Sequence, residues 1–416
     1  MSLYKLSKED KAIVGEITLT GSKSISNRVL IIRALAREKF KIKHLAKAHD
    51  TVTLQRLLSN LNERILNAHN GGTTFRFLAV YATTLAKDHI VTGSRRMLER
   101  PIGVLVEALK KLGVRLSYLG RAGYPPLFIQ SSSSTLRGGD LNILANVSSQ
   151  FISALLMVAP CLEEGLRLHL QGTVVSKPYI EMTLSLMADF GIDSAWDREA
   201  NTIWIAPQTY HPPEAYIVEA DWSAASYYYA MAVLADEVHL QINGLSEHSI
   251  QGDSELVTMM RSFGITSVFN EKGVLLQKEQ LPLTSFEYNF LGCPDLAQTL
   301  VVLCSALGIN AQFHGLQTLK IKETDRVAAL DHELNKLGCE LTYSEGTIEL
   351  KRGVQIIPNR VVVQTYDDHR MAMAFAPLAL LGSTIFFDSK EVVNKSYPTF
   401  WDDLKTLGFS FSEVEY

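Results

Sequence analysis

The chain predicts an α/β fold of two domains, each made of three similar repeats with apolar helices inside and sheets outside. Its 416 residues exceed one ordinary core, so two domains are the default. Wholly apolar helices rich in small residues, each opened by a polar cluster, begin near Gly21, Asn70, Val147, Asp221, Pro294 and Asp367, at intervals of 49, 77, 74, 73 and 73 residues. Amphipathic helices alternate with them and end in an apolar residue plus Gly, at Leu112-Gly113, Phe190-Gly191, Phe263-Gly264, Leu337-Gly338 and Leu407-Gly408. Those glycines stand 78, 73, 74 and 70 residues apart. A helix apolar on every face has to be buried, and each terminal Gly suits a left-handed C-cap before a strand.

In the first repeat, Gly21-Ser22-Lys23-Ser24-Ile25-Ser26-Asn27-Arg28 lies between the strand-like residues 18–20 and the apolar helical run 29–36. Ser22 or Ser24 can cap this helix, whose first-turn amides, with Lys23 and Arg28, make an anion site. It is not a Walker A loop, because Ser22 rather than Gly precedes Lys23. The amphipathic helix that follows, 51–62, lacks a terminal Gly. This repeat is over twenty residues short of the others, which reads as a lost strand or hairpin. In the second repeat Asn70-Gly71-Gly72-Thr73 fits either a tight turn or a close approach of backbone amides to a ligand. Arg76, between Phe75 and Phe77, is expected to be buried and to need an anionic partner. Arg100-Pro101-Ile102-Gly103 then opens a helix with Pro at its favoured first position.

The third repeat carries Ser148-Ser149-Gln150 and Ser176-Lys177-Pro178-Tyr179, the fourth Asp221 and Gln251-Gly252-Asp253. The fifth carries Asp295 and Lys322-Glu323-Thr324-Asp325-Arg326, and the sixth Asp368-His369-Arg370. Strand-like runs at 167–170, 202–205, 238–242, 274–277, 361–364 and 384–387 fill the gaps. If the helices of a domain run parallel, their positive ends converge on one face, and a cleft between two such faces would attract a small polyanion.

Composition narrows the partners. A net charge of −4 and the absence of a basic tract with interleaved aromatics argue against nucleic acid. Cys161, Cys293, Cys304 and Cys339 are scattered, with no Cys-x-x-Cys pair, which argues against zinc and a disulfide framework and for a cytoplasmic location. The polar start of the chain does not resemble a signal peptide, and apolar runs such as 151–162 are too short to span a bilayer. A monomer is expected.

Taken together, the clusters at 21–28, 70–76, 96–103, 148–150, 176–179, 322–326 and 368–370, with Lys395, resemble the 5-enolpyruvylshikimate-3-phosphate synthase family of enolpyruvyl transferases over nearly the whole chain. The resemblance implies an inside-out α/β barrel in each domain, built of three βαβαββ repeats, with a discontinuous domain of 1–20 plus 220–416 and an inserted domain of 21–219 around a cleft. It implies transfer of the enolpyruvyl group of phosphoenolpyruvate to the 5-hydroxyl of shikimate 3-phosphate, with no cofactor and no metal. Ser24, Arg28, Ser148, Ser149, Ser176, Tyr179 and Lys322 would surround shikimate 3-phosphate. Gly72, Arg100, Arg326, Arg370 and Lys395 would hold phosphoenolpyruvate, and Lys23 and Gln150 would reach both. Asp295, which would also touch shikimate 3-phosphate, and Glu323 would move the protons beside a catalytic Lys23. Thr318 stands where the family often has Asn, and Phe77 where Pro commonly follows the Arg. The alternatives are the related UDP-N-acetylglucosamine enolpyruvyl transferase, which typically has a mobile-loop Cys and a Lys-Asn pair in place of Lys23-Ser24, and a non-catalytic protein that binds anionic ligands.

Overall fold

Parallel strands need a crossover connection, and the apolar helices of this chain supply it five times. In the computed structural model, which describes residues 2–36, 38–131, 136–279, 283–354 and 358–415, the chain separates into two compact units. One is continuous, residues 22–218; the other is discontinuous, residues 1–21 with 219–416. The described residues form five four-stranded sheets and one two-stranded sheet.

Every sheet contains one parallel pair, and in five of the six sheets a buried helix lies between its strands along the chain. In the continuous unit, Ile65–Asn67 and His89–Thr92 flank Gly72–Tyr81, and Gly139–Leu144 and Leu166–Gln171 flank Ser149–Val158. In the discontinuous unit, Ser285–Asn289 and Asn310–His314 flank Ala297–Leu307, and Arg360–Val363 and Thr384–Phe387 flank His369–Phe375. Ala12–Thr18 and Glu237–Asn243 do the same for Trp222–Leu234, although the whole continuous unit is inserted between that first strand and its helix.

A second helix then leads to an antiparallel hairpin that completes the βαβαββ order, as Gly103–Lys111 leads to Leu116–Tyr118 and Leu127–Ile129. The final hairpin pairs Ser410–Glu415 with Ser2–Ser7, so the two ends of the chain close one sheet. The exception is the short first repeat. Lys41–Lys43, which follows Lys23–Ala36, pairs in parallel with Ala215–Ile217 near the end of the unit, and after His49–Ser59 no hairpin follows, which accounts for the missing residues.

Burial follows the two helix types. Trp222–Leu234 is buried except at Ser223, Ser149–Val158 except at Gln150, and Gly72–Tyr81 except at Thr73. Strands alternate instead, as in Leu166–Gln171, where Leu166, Leu168 and Leu170 face inward. Large side chains such as Phe75, Phe151 and Trp222 are fully buried, each stabilising its unit by roughly 1.5–3 kcal/mol. All five expected C-cap glycines are left-handed, with φ of 87° at Gly113, 78° at Gly191, 77° at Gly264, 73° at Gly338 and 82° at Gly408.

The fold thus leaves the polar openings of buried helices as the places where charged side chains collect. The partly exposed residues of three of these helices, Thr73, Gln150 and Ser223, all lie in the first turn.

Candidate active site

In the continuous unit the opening of Lys23–Ala36 is built around Arg28, a guanidinium 2 % exposed. Ser22 caps the helix through its Oγ, 3.5 Å from the Ile25 amide. Arg28 then donates to Thr183 Oγ1 at 2.7 Å, Ser24 O at 2.9 Å, Ser153 Oγ at 3.0 Å and Tyr179 O at 3.3 Å, and lies over the Phe77 ring. These acceptors are neutral, and among the described residues no carboxylate pairs with Arg28. Burial accordingly lowers its pKa to about 10. Lys23, by contrast, stands 3.6 Å from the buried carboxylate of Asp50.

Gly72 opens the next buried helix against two guanidinium groups. A Cβ there would lie 2.6 Å from Arg100 Nη1 and 2.7 Å from Arg76 Nη1. Neither Gly71 nor Gly72 has positive φ, so space, and not backbone conformation, is what demands glycine at 72. Arg76 donates to Gly72 O at 2.9 Å and lies over Phe151; Arg100 is buried, and its Nε has no hydrogen-bond partner among the described residues. Gln150 is tied to the same corner, its Nε2 donating to Thr73 Oγ1 at 3.0 Å. Ser148 caps the Ser149–Val158 helix through the Gln150 amide. Ser176 opens Lys177–Asp189 in a left-handed conformation, φ 54°, and its hydroxyl makes no cap hydrogen bond.

The discontinuous unit carries a denser cluster. Arg326, at the first turn of Arg326–Asn335 and 1 % exposed, meets three carboxylates: Asp368 Oδ2 at 2.8 Å from Nε, Glu323 Oε2 at 3.0 Å from Nη2 and Asp295 Oδ1 at 3.1 Å from Nη1. Arg370 reaches the other oxygen of Asp295 at 3.1 Å and donates to the Tyr227 hydroxyl at 3.2 Å. Lys322 stands 3.6 Å from Asp295, and Lys395 Nζ 2.9 Å from Glu323 Oε1. Among the described residues, Arg326, Arg370, Lys322 and Lys395 converge on Asp295, Glu323 and Asp368, a dense set of donors for an anion.

Burial alone would raise the Asp295 pKa, but Arg370, Lys322 and Arg326 outweigh it and hold the carboxyl well below its ordinary range. Asp253 shows the reverse. Its carboxyl is fully buried, accepts from the Ser223 hydroxyl, and is pushed up to about 7 by burial first and by the Asp295 charge second. His369 lies 3.5 Å from Asp368, which caps its own helix through the Arg370 amide.

The sequence profile of the family described as EPSP synthase (3-phosphoshikimate 1-carboxyvinyltransferase) matches residues 7–69 and 56–404. The chain belongs to the EPSP synthase family. It is therefore an enzyme, a transferase. Two curated relatives, both called 3-phosphoshikimate 1-carboxyvinyltransferase, are from Bacteroides fragilis, 43 % identical with 97 % of each chain covered, and from Neisseria meningitidis, 34 % identical with 94 % of this chain and 95 % of the relative covered. In fold it is similar to an EPSP synthase structure from Acinetobacter baumannii, TM-score 0.79 at 19 % identity over 100 % of both chains. It is also similar to the enolpyruvyl transferase NikO from Streptomyces tendae, TM-score 0.76 at 14 % identity over 99 % of both.

Within this EPSP synthase chain, the expected residues fall into local groups. Arg28 gathers Ser24 and Tyr179; Gly72 gathers Arg100; and Arg326 gathers Asp295 and Glu323, to which Lys322, Arg370 and Lys395 attach. The sequence reading missed Asp50, Ser153, Thr183 and the raised pKa of Asp253. A polar side chain on the inner face of a buried helix, as at Ser153 and Thr183, was the available signal.

Proposed function

We propose that both groups of residues serve one reaction, transfer of the enolpyruvyl group of phosphoenolpyruvate to the 5-hydroxyl of shikimate 3-phosphate by addition and elimination. Lys23, Ser24, Arg28, Ser148, Ser149, Gln150, Ser176, Tyr179, Asp295 and Lys322 take shikimate 3-phosphate. Lys23, Gly72, Arg100, Gln150, Arg326, Arg370 and Lys395 take phosphoenolpyruvate. The observation that carries the reading is the Arg326 cluster, where Asp295 and Glu323 share one buried guanidinium and each has a further cation beside it. Arg forks bind phosphate and carboxylate bidentately, so an incoming anionic substrate competes with those carboxylates for the same donors.

The addition step forms a bond from the 5-oxygen to C2 of phosphoenolpyruvate, removes the hydroxyl proton and protonates the methylene carbon. Elimination then breaks the C2–phosphate oxygen bond, expels phosphate and returns the methyl group to a methylene by loss of a proton. Asp295 takes the hydroxyl proton and Glu323 serves the methylene. With its cations engaged, Asp295 binds a proton weakly; a substrate anion that draws Arg370 and Arg326 away raises its basicity when the base is needed. Lys23 and the surrounding guanidinium groups stabilise the charge that develops at the tetrahedral ketal.

All four cysteines are unpaired, which fits a reducing compartment, and we place the reaction in the cytoplasm. Among the described residues no helix is long and apolar enough to cross a membrane. We assign a monomer, to be checked by size-exclusion chromatography with light scattering.

The deciding assay mixes the protein with phosphoenolpyruvate and shikimate 3-phosphate and measures phosphate release. Release only when a uridine sugar nucleotide replaces shikimate 3-phosphate would reassign the acceptor.

A further inference from the structure

Two consecutive non-glycine residues, Tyr366 and Asp367, adopt left-handed backbone conformations, φ 54° and 53°, directly before Asp368, His369 and Arg370. Such conformations are unfavourable for ordinary side chains and persist only where the surroundings enforce them. The enforcing contacts are present on both sides. Thr365 donates its amide and its hydroxyl to Asp388 Oδ1, at 2.9 and 2.7 Å. The Tyr366 hydroxyl donates to Glu333 Oε1 at 2.8 Å and lies 2.7 Å from His332 Nδ1.

Glu333 is 1 % exposed, and its carboxylate is fully used. Oε2 accepts from Lys336 Nζ at 2.6 Å and from the Gln364 amide at 3.2 Å, and Oε1 accepts from Tyr366 with His332 at 3.0 Å. Glu333 sits seven residues after Arg326 on one helix, two turns along the same face. That helix therefore grips the 364–370 segment twice, through Glu333 at Gln364 and Tyr366 and through Arg326 at Asp368.

From this double grip we infer that Glu333 and Tyr366 are positioning residues: a latch that holds the left-handed pair and thereby registers Asp368 and Arg370 against Arg326. Neither residue touches a substrate in the scheme above. Without the Tyr366 hydroxyl, the pair relaxes toward ordinary backbone angles, and the turn that aims Arg370 at Asp295 loosens with it. Asp367 is exposed, so its contribution to the latch is its backbone conformation alone. The consequence for turnover rests on the proposed role of Arg370 in holding phosphoenolpyruvate.

The test separates the latch from that role by two readouts on the full-length enzyme. Tyr366→Phe removes only the hydroxyl. Hydrogen exchange of a peptide covering 365–371, which contains the amides of Asp368 and Arg370, is expected to quicken at least tenfold, while the core helix 225–234 keeps its protection. The KM for phosphoenolpyruvate is expected to rise about tenfold, the lower end for one lost hydrogen bond to a charged group. Adding Asp367→Gly, which adopts the left-handed conformation at no steric cost, should bring it back to within about threefold of wild type.

Unchanged exchange in 365–371, equal quickening in both segments, or a raised KM that Asp367→Gly does not restore would overturn the latch. Faster local exchange with an unaltered KM keeps the latch and removes Arg370 from the phosphoenolpyruvate site, an outcome that Arg370→Gln would then share. Should Glu333→Gln, the companion variant, fail to fold, Tyr366→Phe still decides the matter.

Discussion

Gly72→Ala isolates one atom in the proposed phosphoenolpyruvate site. The added methyl carbon would lie 2.6 Å from Arg100 Nη1, where an ordinary contact begins at 3.4 Å, so that guanidinium has to retreat by roughly 0.8 Å. A charge-assisted hydrogen bond near 2.8 Å stretched by that amount passes 3.5 Å and ceases to be one. Each such bond is worth about 1.5–3 kcal/mol, so losing one raises the KM for phosphoenolpyruvate roughly 10- to 150-fold. Stability should not fall, because the atoms that must move are the ends of flexible side chains and Ala favours a helix over Gly. Steady-state kinetics with phosphoenolpyruvate varied at saturating shikimate 3-phosphate, paired with a thermal melt, give both quantities. A KM within threefold of wild type would refute the reasoning, and so would a melting temperature many degrees lower.

Three further perturbations probe the charges. Asp253, with its folded pKa pushed up to about 7 from an unfolded value near 4, binds its proton more tightly in the native state. Its contribution to stability is therefore complete below about pH 4 and lost as pH rises toward 7. Asp253→Asn should melt at a similar temperature to wild type at pH 4 and higher at pH 8, by a few kcal/mol of stability; equal melting points at pH 8 would contradict this. Glu323→Gln should lower turnover by about 10²–10⁴-fold and suppress deuterium incorporation from solvent into the methylene, and near-normal values of both would remove Glu323 from proton transfer. Arg28→Lys leaves a single ammonium to serve four acceptors and should cost about 2 kcal/mol of stability and weaken shikimate 3-phosphate binding; an unchanged melt would show that those contacts contribute little.

How much of this was legible beforehand depended on whether the cause was local. The left-handed glycines and the all-apolar helices are written in single residues and in periodicity, and both were read correctly to within three residues. The missing hairpin was legible from spacing alone, because a deletion shortens a repeat whatever its surroundings. What space requires was not legible. Gly72 looked like a turn or an amide approach, whereas its demand comes from Arg100, twenty-eight residues further along the chain. The left-handed pair Tyr366 and Asp367 carries no glycine to announce it, since its support comes from Glu333 on another element. Asp50, Ser153 and Thr183 were missed for the same reason: each matters through a partner distant in sequence.

Arg28 is held in the opposite way to Arg326 and Arg370, and the difference has a chemical consequence. Arg28 is surrounded by neutral acceptors, so an anion binds there without displacing anything charged, and burial makes that guanidinium more receptive. Arg326 and Arg370 are already engaged by Asp295, Glu323 and Asp368, so an anion binds there only by exchange. Exchange weakens the net affinity but couples binding to proton chemistry: on the proposed assignment, the donors that would turn toward phosphoenolpyruvate are the same ones that keep Asp295 ionised and weakly basic. A site with spare cations and no carboxylate partners would bind phosphoenolpyruvate more tightly and leave its base unchanged. Asp295→Asn moves toward such a site by removing the carboxylate that Arg326 and Arg370 share, while Asp368 and Glu323 still engage Arg326. It should lose turnover by orders of magnitude while binding inorganic phosphate or phosphoenolpyruvate at least as tightly as wild type by calorimetry. Weaker binding would show that Asp295 orients the two guanidinium groups and does not compete for them.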